Sequence, residues 1–287
     1  MAGPLAPDTP PDAALRRIAA ECHADLEKYR AIVLASRRPL GIHQTRVALR
    51  RLRAAFSIFR GAVVGPTEAR LARGLSAEAK WLAGECAPAR DLHVFLNETV
   101  SDMPPVVRRA ASRVAKAHLE RARTALTGAR YNAFNSQLAA FASATEASSP
   151  SRLDDFGRAV LDQRHGKVER RGRRIGGLDG KRLHRLRIAI KKLRYAAEFL
   201  RPAFASAAAK AYIEATVRLQ GALGALNDRE VAGQMVADIA VAARPTEDVA
   251  KPLRQLAKQA ASGDKRRRKR LQRAWKTFKG AEPFWRT

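Results

Sequence analysis

Residues 183–201 read LHRLRIAIKKLRYAAEFLR, and residues 42–60 read IHQTRVALRRLRAAFSIFR. At a constant offset of 141, seven of the nineteen positions are identical: His43/His184, Arg46/Arg187, Ala48/Ala189, Leu52/Leu193, Arg53/Arg194, Ala55/Ala196 and Arg60/Arg201. Arg50/Lys191 and Arg51/Lys192 keep the charge. The ungapped register of His, basic and apolar positions points to an internal duplication rather than a chance likeness of two Ala-rich basic segments. A weaker echo follows at an offset of 137, where Ala89-Arg-Asp-Leu-His-Val94 resembles Leu226-Asn-Asp-Arg-Glu-Val231. Duplicated halves usually pack about a pseudo-two-fold axis, so equivalent faces of the two basic segments are expected to meet or to flank one cleft.

Both segments read as amphipathic helices. At roughly 100° per residue, His43, Arg46, Arg50 and Arg53 fall within an arc of roughly 80°, while Leu49, Leu52, Phe56 and Phe59 form a separate apolar stripe. The same spacing groups His184, Arg187, Lys191 and Arg194, with Tyr195 beside them. Arg51 and Lys192 lie off the main stripe, where a solvated rim position is as reasonable as binding. Residues 37–60 contain seven Arg and no acid. Like charges three and four apart destabilise a helix by a few tenths of a kcal/mol per pair. An elongated anion would relieve that repulsion, and the planar guanidinium fork suits phosphate. A charge run of this kind also serves as a solvated helix face; the repeated register and the shared His argue for the binding role.

The charge balance fits. The 287 residues hold 55 Lys plus Arg against 27 Asp plus Glu, a net charge of +28. A soluble domain usually stays within about 2–8 units of neutrality, so an anionic partner is expected. A hydrophobic share of 46% excludes a disordered basic tail. No apolar run is long enough for a membrane span, and no membrane partner is expected. Residues 1–12 hold four prolines and no Lys or Arg, unlike a secretory signal. Two cysteines, Cys22 and Cys86, outside any CxxC pair suggest a reducing cytoplasm.

Good helix formers dominate throughout and no run alternates like a strand, so the expected fold class is all-α, a multi-helix bundle. Twelve helices are expected, the first capped by Asp12 and stopped by Pro39. Residues 1–11 read as a disordered Pro-rich tail and 12–279 as a single domain. That domain comprises halves 12–146 and 152–279 joined by a polar linker at 147–151, with a C-terminal tail at 280–287. The long helical stretch after Pro202 is expected to break between Ala225 and Asn227.

On these residues the chain resembles the CHAD family, the conserved histidine α-helical domain. The motif stands as His43-x-x-Arg46-x-x-x-Arg50-Arg51-x-Arg53 and again as His184-x-x-Arg187-x-x-x-Lys191-Lys192-x-Arg194-Tyr195. Trp81-Leu82, Arg90-Asp91-x-x-Val94, Ala129-Arg130-Tyr131 and Leu223-Gly-x-x-Asn227-Asp228 also look like the family's pattern. The likeness covers about residues 12–279. It implies two pseudo-symmetric helical bundles around a basic central channel that binds inorganic polyphosphate, and association with polyphosphate granules. His43, Arg46, Arg50, Arg53, His184, Arg187, Lys191 and Arg194 would line that channel, with Lys80, Arg51, Lys192 and Tyr195 as weaker members. Cys86 and Pro88 ahead of Arg90, and His93 where an acid is common, depart from the pattern.

Other chemistries find less support. Phosphate-cleaving enzymes need carboxylates on a metal, and no Glu-x-Glu occurs here. The loop ending at Gly180-Lys181 lacks the P-loop's first glycine and its Ser or Thr. His23, His93, His118 and His165 are scattered and have no second His or Cys at i+4, so no metal or cofactor is expected. The reading is a non-enzymatic polyphosphate binder. The alternative is a DNA- or RNA-binding basic protein, disfavoured because the stripes lack stacking aromatics apart from Tyr195. The run Lys265–Arg270, extended by Arg273, Lys276 and Lys279, reads equally as a nucleic-acid or localisation patch, an outer wall of the channel, or a solvated helix.

Overall fold

The computed structural model describes residues 5–95, 103–144, 151–244, 248–261 and 264–286. Among these, eleven α-helices and no strand are present. They are α1 (Pro11–Ala35), α2 (Pro39–Ile58), α3 (Pro66–Glu85), α4 (Ala87–Phe95), α5 (Pro105–Thr127), α6 (Ala129–Ser143), α7 (Leu153–Gly172), α8 (Gly180–Leu200), α9 (Ala208–Ala242), α10 (Ala250–Ala261) and α11 (Asp264–Lys279). Proline opens α1, α2, α3 and α5, where its missing N–H would have no helical partner anyway. Pro39 therefore begins α2 rather than stopping the helix before it. Asp12 lies buried inside the first turn of α1, and Pro10 takes the cap position. At α8 the side chain of Asp179 caps the helix by accepting from the Arg182 N–H.

The expected break before Asn227 is absent: α9 runs unbroken for 35 residues through Gly221, Gly224 and Gly233. Each interior glycine costs about 1 kcal/mol against alanine. Packing against α5, α8, α10 and α11 offsets that cost. The side chains of Asn227 and Asp228, like that of His93, lie outside the described residues.

One apolar cluster runs through α1, α2, α3, α6, α7, α8, α9 and α11. A second gathers Leu92, Val107, Ala110 and Val114 with Met235, Ile239 and Leu253. It ties α4 and α5 to the end of α9 and to α10. The described segments before α1 and after α11 are docked too. Leu5 is buried, and the Asp154 N–H donates to the Pro7 carbonyl. Phe284 and Trp285 are fully buried beside Tyr212, and Trp285 also packs edge-on to His165. Trp285 Nε1 donates to Asp162 Oδ1 at 2.9 Å. Residues 5–10 and 281–286 are thus part of the folded body, where the sequence suggested tails. Gly172 lets α7 approach α11 closely, since a Cβ there would meet the Trp275 ring at 2.1 Å.

Part of the positive charge is spent on helix ends. The last carbonyls of an α-helix have no helical donor, and the macrodipole favours a cation there. Arginines from other helices fill this role. Arg123 donates to the Val33 and Ser36 carbonyls at the end of α1, and Arg164 to Ser57 near the end of α2. Arg30 holds Leu126 of α5, Arg16 holds Phe141 of α6, and Arg113 holds Ala242 of α9. The motif Ala129-Arg130-Tyr131 is likewise structural. Arg130 lies 4.0 Å from the Trp81 ring centroid and forks onto Glu78, while the buried Tyr131 donates to Glu27 beneath Arg30.

Candidate anion-binding site at the α2–α8 seam

Helices α2 and α8 pack against each other. Each buries its apolar stripe, including Leu49, Leu52 and Phe56 on α2 and Leu186, Ile190 and Leu193 on α8. That burial fixes the rotation of both helices and brings their cationic stripes to one seam. The electrostatics of Lys191 register the meeting. Its ammonium is pushed down to about 8, first by burial and then by Arg50, Arg187, Arg53 and Arg194. Two of those four belong to α2 and two to α8. Burial also lowers the basicity of Arg53.

The seam is compensated at its flanks and bare in the middle. Arg46 donates to the Ala83 carbonyl at the end of α3 at 2.9 Å and lies 3.9 Å from Asp91. Asp91 also accepts from Arg90. Arg194 donates to Gln220 Oε1 at 2.9 Å and to Glu198 Oε1 at 2.5 Å. Arg50, Arg53, Arg187 and Lys191 make no hydrogen bond or ion pair with a described residue. Four cations from two helices thus converge without an acid among the described residues. Coulomb repulsion in a partly dry environment opposes that arrangement, and an anion placed there would remove the penalty.

His43 extends the seam at the Arg46 end. Burial, Arg90, Arg50 and Arg46 all lower its basicity, which favours the neutral imidazole. An approaching anion would reverse that push. Its repeat partner His184 is exposed near the start of α8. Tyr195 is only 4% exposed, with the Arg194 guanidinium over its ring and Phe199 stacked beside it. It supports Arg194 from below and offers no open face to a base. Arg51 is drawn away toward α1, 3.7 Å from Glu21 and over the Phe199 ring. Lys80 is exposed on α3 and is not among the charges that shift His43, Arg46 or Lys191. Lys192 points to another cluster, described below.

Sequence reasoning missed Arg90, which faces His43, and the pair Glu198 and Gln220, which fixes Arg194. Arg90-Asp91 stood in the motif, but only packing shows that it meets α2. Among the described residues no three His, Cys, Asp or Glu side chains stand together to hold a metal, and no helix is long and apolar enough to cross a membrane. Cys22 and Cys86 are buried free thiols pushed up to about 12 by burial, hence unreactive.

Among the described residues the body is all-helical, with a cationic seam between two like helices, and comparison with known proteins gives its family. The CHAD domain model matches residues 17–237, more than half of the chain, and the protein belongs to the CHAD family. The crystal structure of the CHAD domain from the plant Ricinus communis superposes with a TM-score of 0.81 at 25% identity, covering 98% of this chain and 96% of that one. PptA from Streptomyces chartreusis superposes with a TM-score of 0.57 at 17% identity, over 97% of this chain and 100% of that one, a likeness of fold alone. No curated protein matches the sequence.

Proposed function

We propose that the protein binds inorganic polyphosphate, without cleaving it, along the α2–α8 seam. The observation that carries this is the bare centre of the seam, where Arg50, Arg53, Arg187 and Lys191 crowd together without an acid among the described residues. A phosphate chain presents closely spaced anions along a flexible line, which suits cations offered from two helices at once. Family membership supports the same ligand. Among the described residues the seam holds arginines and lysine but no carboxylate set for a metal, which favours holding the chain over hydrolysing it. In this reading the halves 12–146 and 152–279 are duplicates and the seam is one wall of a channel between them. Helix α1 lies along α2 as α7 lies along α8, which agrees with that arrangement. A protein that holds the polymer so would accompany it to polyphosphate granules.

The test is titration of wild type and the Arg50→Ala/Arg187→Ala variant with long-chain polyphosphate by calorimetry. These two arginines hold no described acceptor, so the fold should survive, as circular dichroism can check. Each lost charge-assisted contact is worth about 1.5–3 kcal/mol, so a loss of about 100-fold or more is expected. Unchanged affinity in a folded variant would place the ligand elsewhere. Release of orthophosphate with a divalent metal would restore an enzymatic reading.

A further inference from the structure

A second cluster of cations lies where α8 meets α7, outside the residues the seam uses. Lys192 faces Arg164, Lys167 and Arg171 of α7 and Arg60 beyond the end of α2, and partial burial, followed by these four charges, lowers its basicity. The two α7 guanidiniums are held by carbonyls rather than acids. Arg164 bridges the Ser57 carbonyl at 2.9 Å and the Lys192 carbonyl at 3.4 Å, and Arg171 donates to the Arg185 carbonyl at 2.8 Å. Carbonyl anchoring fixes a guanidinium in place and leaves its charge uncancelled. Arg60, Lys167 and Lys192 make no hydrogen bond or ion pair with a described residue. The one acid between Arg164 and Arg171, Glu169, is turned to Lys279 and His165.

The cluster and the seam share α8 and the end of α2, with Lys191 and Lys192 projecting about 100° apart around α8. Lys192 follows Lys191 directly, and Ser57, which holds Arg164, lies about one turn beyond Arg53 on α2. We propose that this α7–α8 face is an exit surface, onto which a phosphate chain bound in the seam continues past Arg53 and Lys191 to Lys192, Lys167 and Arg171. This rests on the seam reading and extends it. The eight residues from Arg164 to Arg171 add about 10 Å of cationic track. A phosphate chain is favoured over nucleic acid because Tyr195 and Phe199, the aromatics on this part of α8, are buried and leave no base-stacking platform. The consequence is a length threshold: short chains fill the seam alone, and long chains engage both surfaces.

The experiment compares tripolyphosphate with long-chain polyphosphate on wild type, Lys167→Gln/Lys192→Gln and Arg50→Ala/Arg187→Ala. Lys167 and Lys192 are exposed, so the fold should be untouched, and each single substitution should act in the same direction at smaller size. For the lysine pair the proposal expects tripolyphosphate affinity within about twofold of wild type, long-chain affinity down about tenfold, and a salt slope lower by about 2. Unchanged long-chain binding in the lysine pair, with loss in the arginine pair, overturns the exit surface and leaves the seam standing. Equal loss of both ligands in the lysine pair overturns the length threshold. A lysine pair that loses duplex RNA but not polyphosphate assigns the surface to nucleic acid instead. Unchanged binding in the arginine pair overturns the seam reading itself.

Discussion

At Lys191 a lysine that titrates near 10.5 when free is held at about 8 by burial and four arginines. A depressed folded value means the unfolded chain binds more protons between pH 8 and 10.5, so this group adds stability as pH rises through that window. Below pH 8 the penalty for the charged form is fully present. Lys191→Met should therefore raise the melting temperature at pH 7 and flatten the climb above pH 8, which scanning calorimetry in stepped buffers reads directly. A bound phosphate chain reverses the push. At pH 8 binding should take up roughly half a proton at this site, and almost none at pH 6. Calorimetry in buffers of different ionisation enthalpy measures that uptake, and Lys191→Met should lose it. Arg46 teaches the complementary lesson. The helical spacing of residues 43–53 puts it on the binding stripe, yet Ala83 at the end of α3 and Asp91 claim its guanidinium. Spacing shows which way a side chain leaves its own helix; which acceptor it meets depends on a helix packed from elsewhere.

The helices themselves were largely legible, because proline, glycine and apolar periodicity act locally. Pro66 and Pro105 mark starts that the structure keeps, whereas the cap at Asp179 emerged only from the structure. Helix α9 was misjudged for a physical reason: packing on α5, α8, α10 and α11 outweighs the local cost of its glycines. The C-terminal segment was opaque for the same kind of reason. Phe284 and Trp285 carry no periodic signal, and their burial depends on the pocket that His165, Tyr212 and Phe278 form across α7, α9 and α11. Trp285→Ala should cost about 3–5 kcal/mol by emptying that pocket. Asp162 loses the indole N–H but keeps its pairing with Arg286, so the loss should come mainly from packing. Urea denaturation measures it, and polyphosphate affinity should stay unchanged at temperatures where the variant is folded. A loss below about 1 kcal/mol would mean that the segment merely rests on the surface.

Over the whole molecule, the net charge of +28 divides into different uses. Arginines at the ends of α1, α2, α3, α5, α6 and α9 serve as structural cations on orphan carbonyls. The seam and the α7–α8 face hold cations that no described acid cancels. The basic run at the start of α11 is exposed from Lys265 to Arg270 apart from the half-buried Arg267, and Arg268 reaches the Leu178 carbonyl. Composition alone demanded a polyanion; the fold separates the cations that hold helices from those left for a ligand. The most direct test is a competition at physiological salt between long-chain polyphosphate and duplex DNA of equal total charge, run on wild type and on Arg50→Ala/Arg187→Ala. The account predicts that wild type prefers polyphosphate by at least about tenfold and that the variant loses this preference. Preference of wild type for DNA, or a variant as selective as wild type, would contradict it.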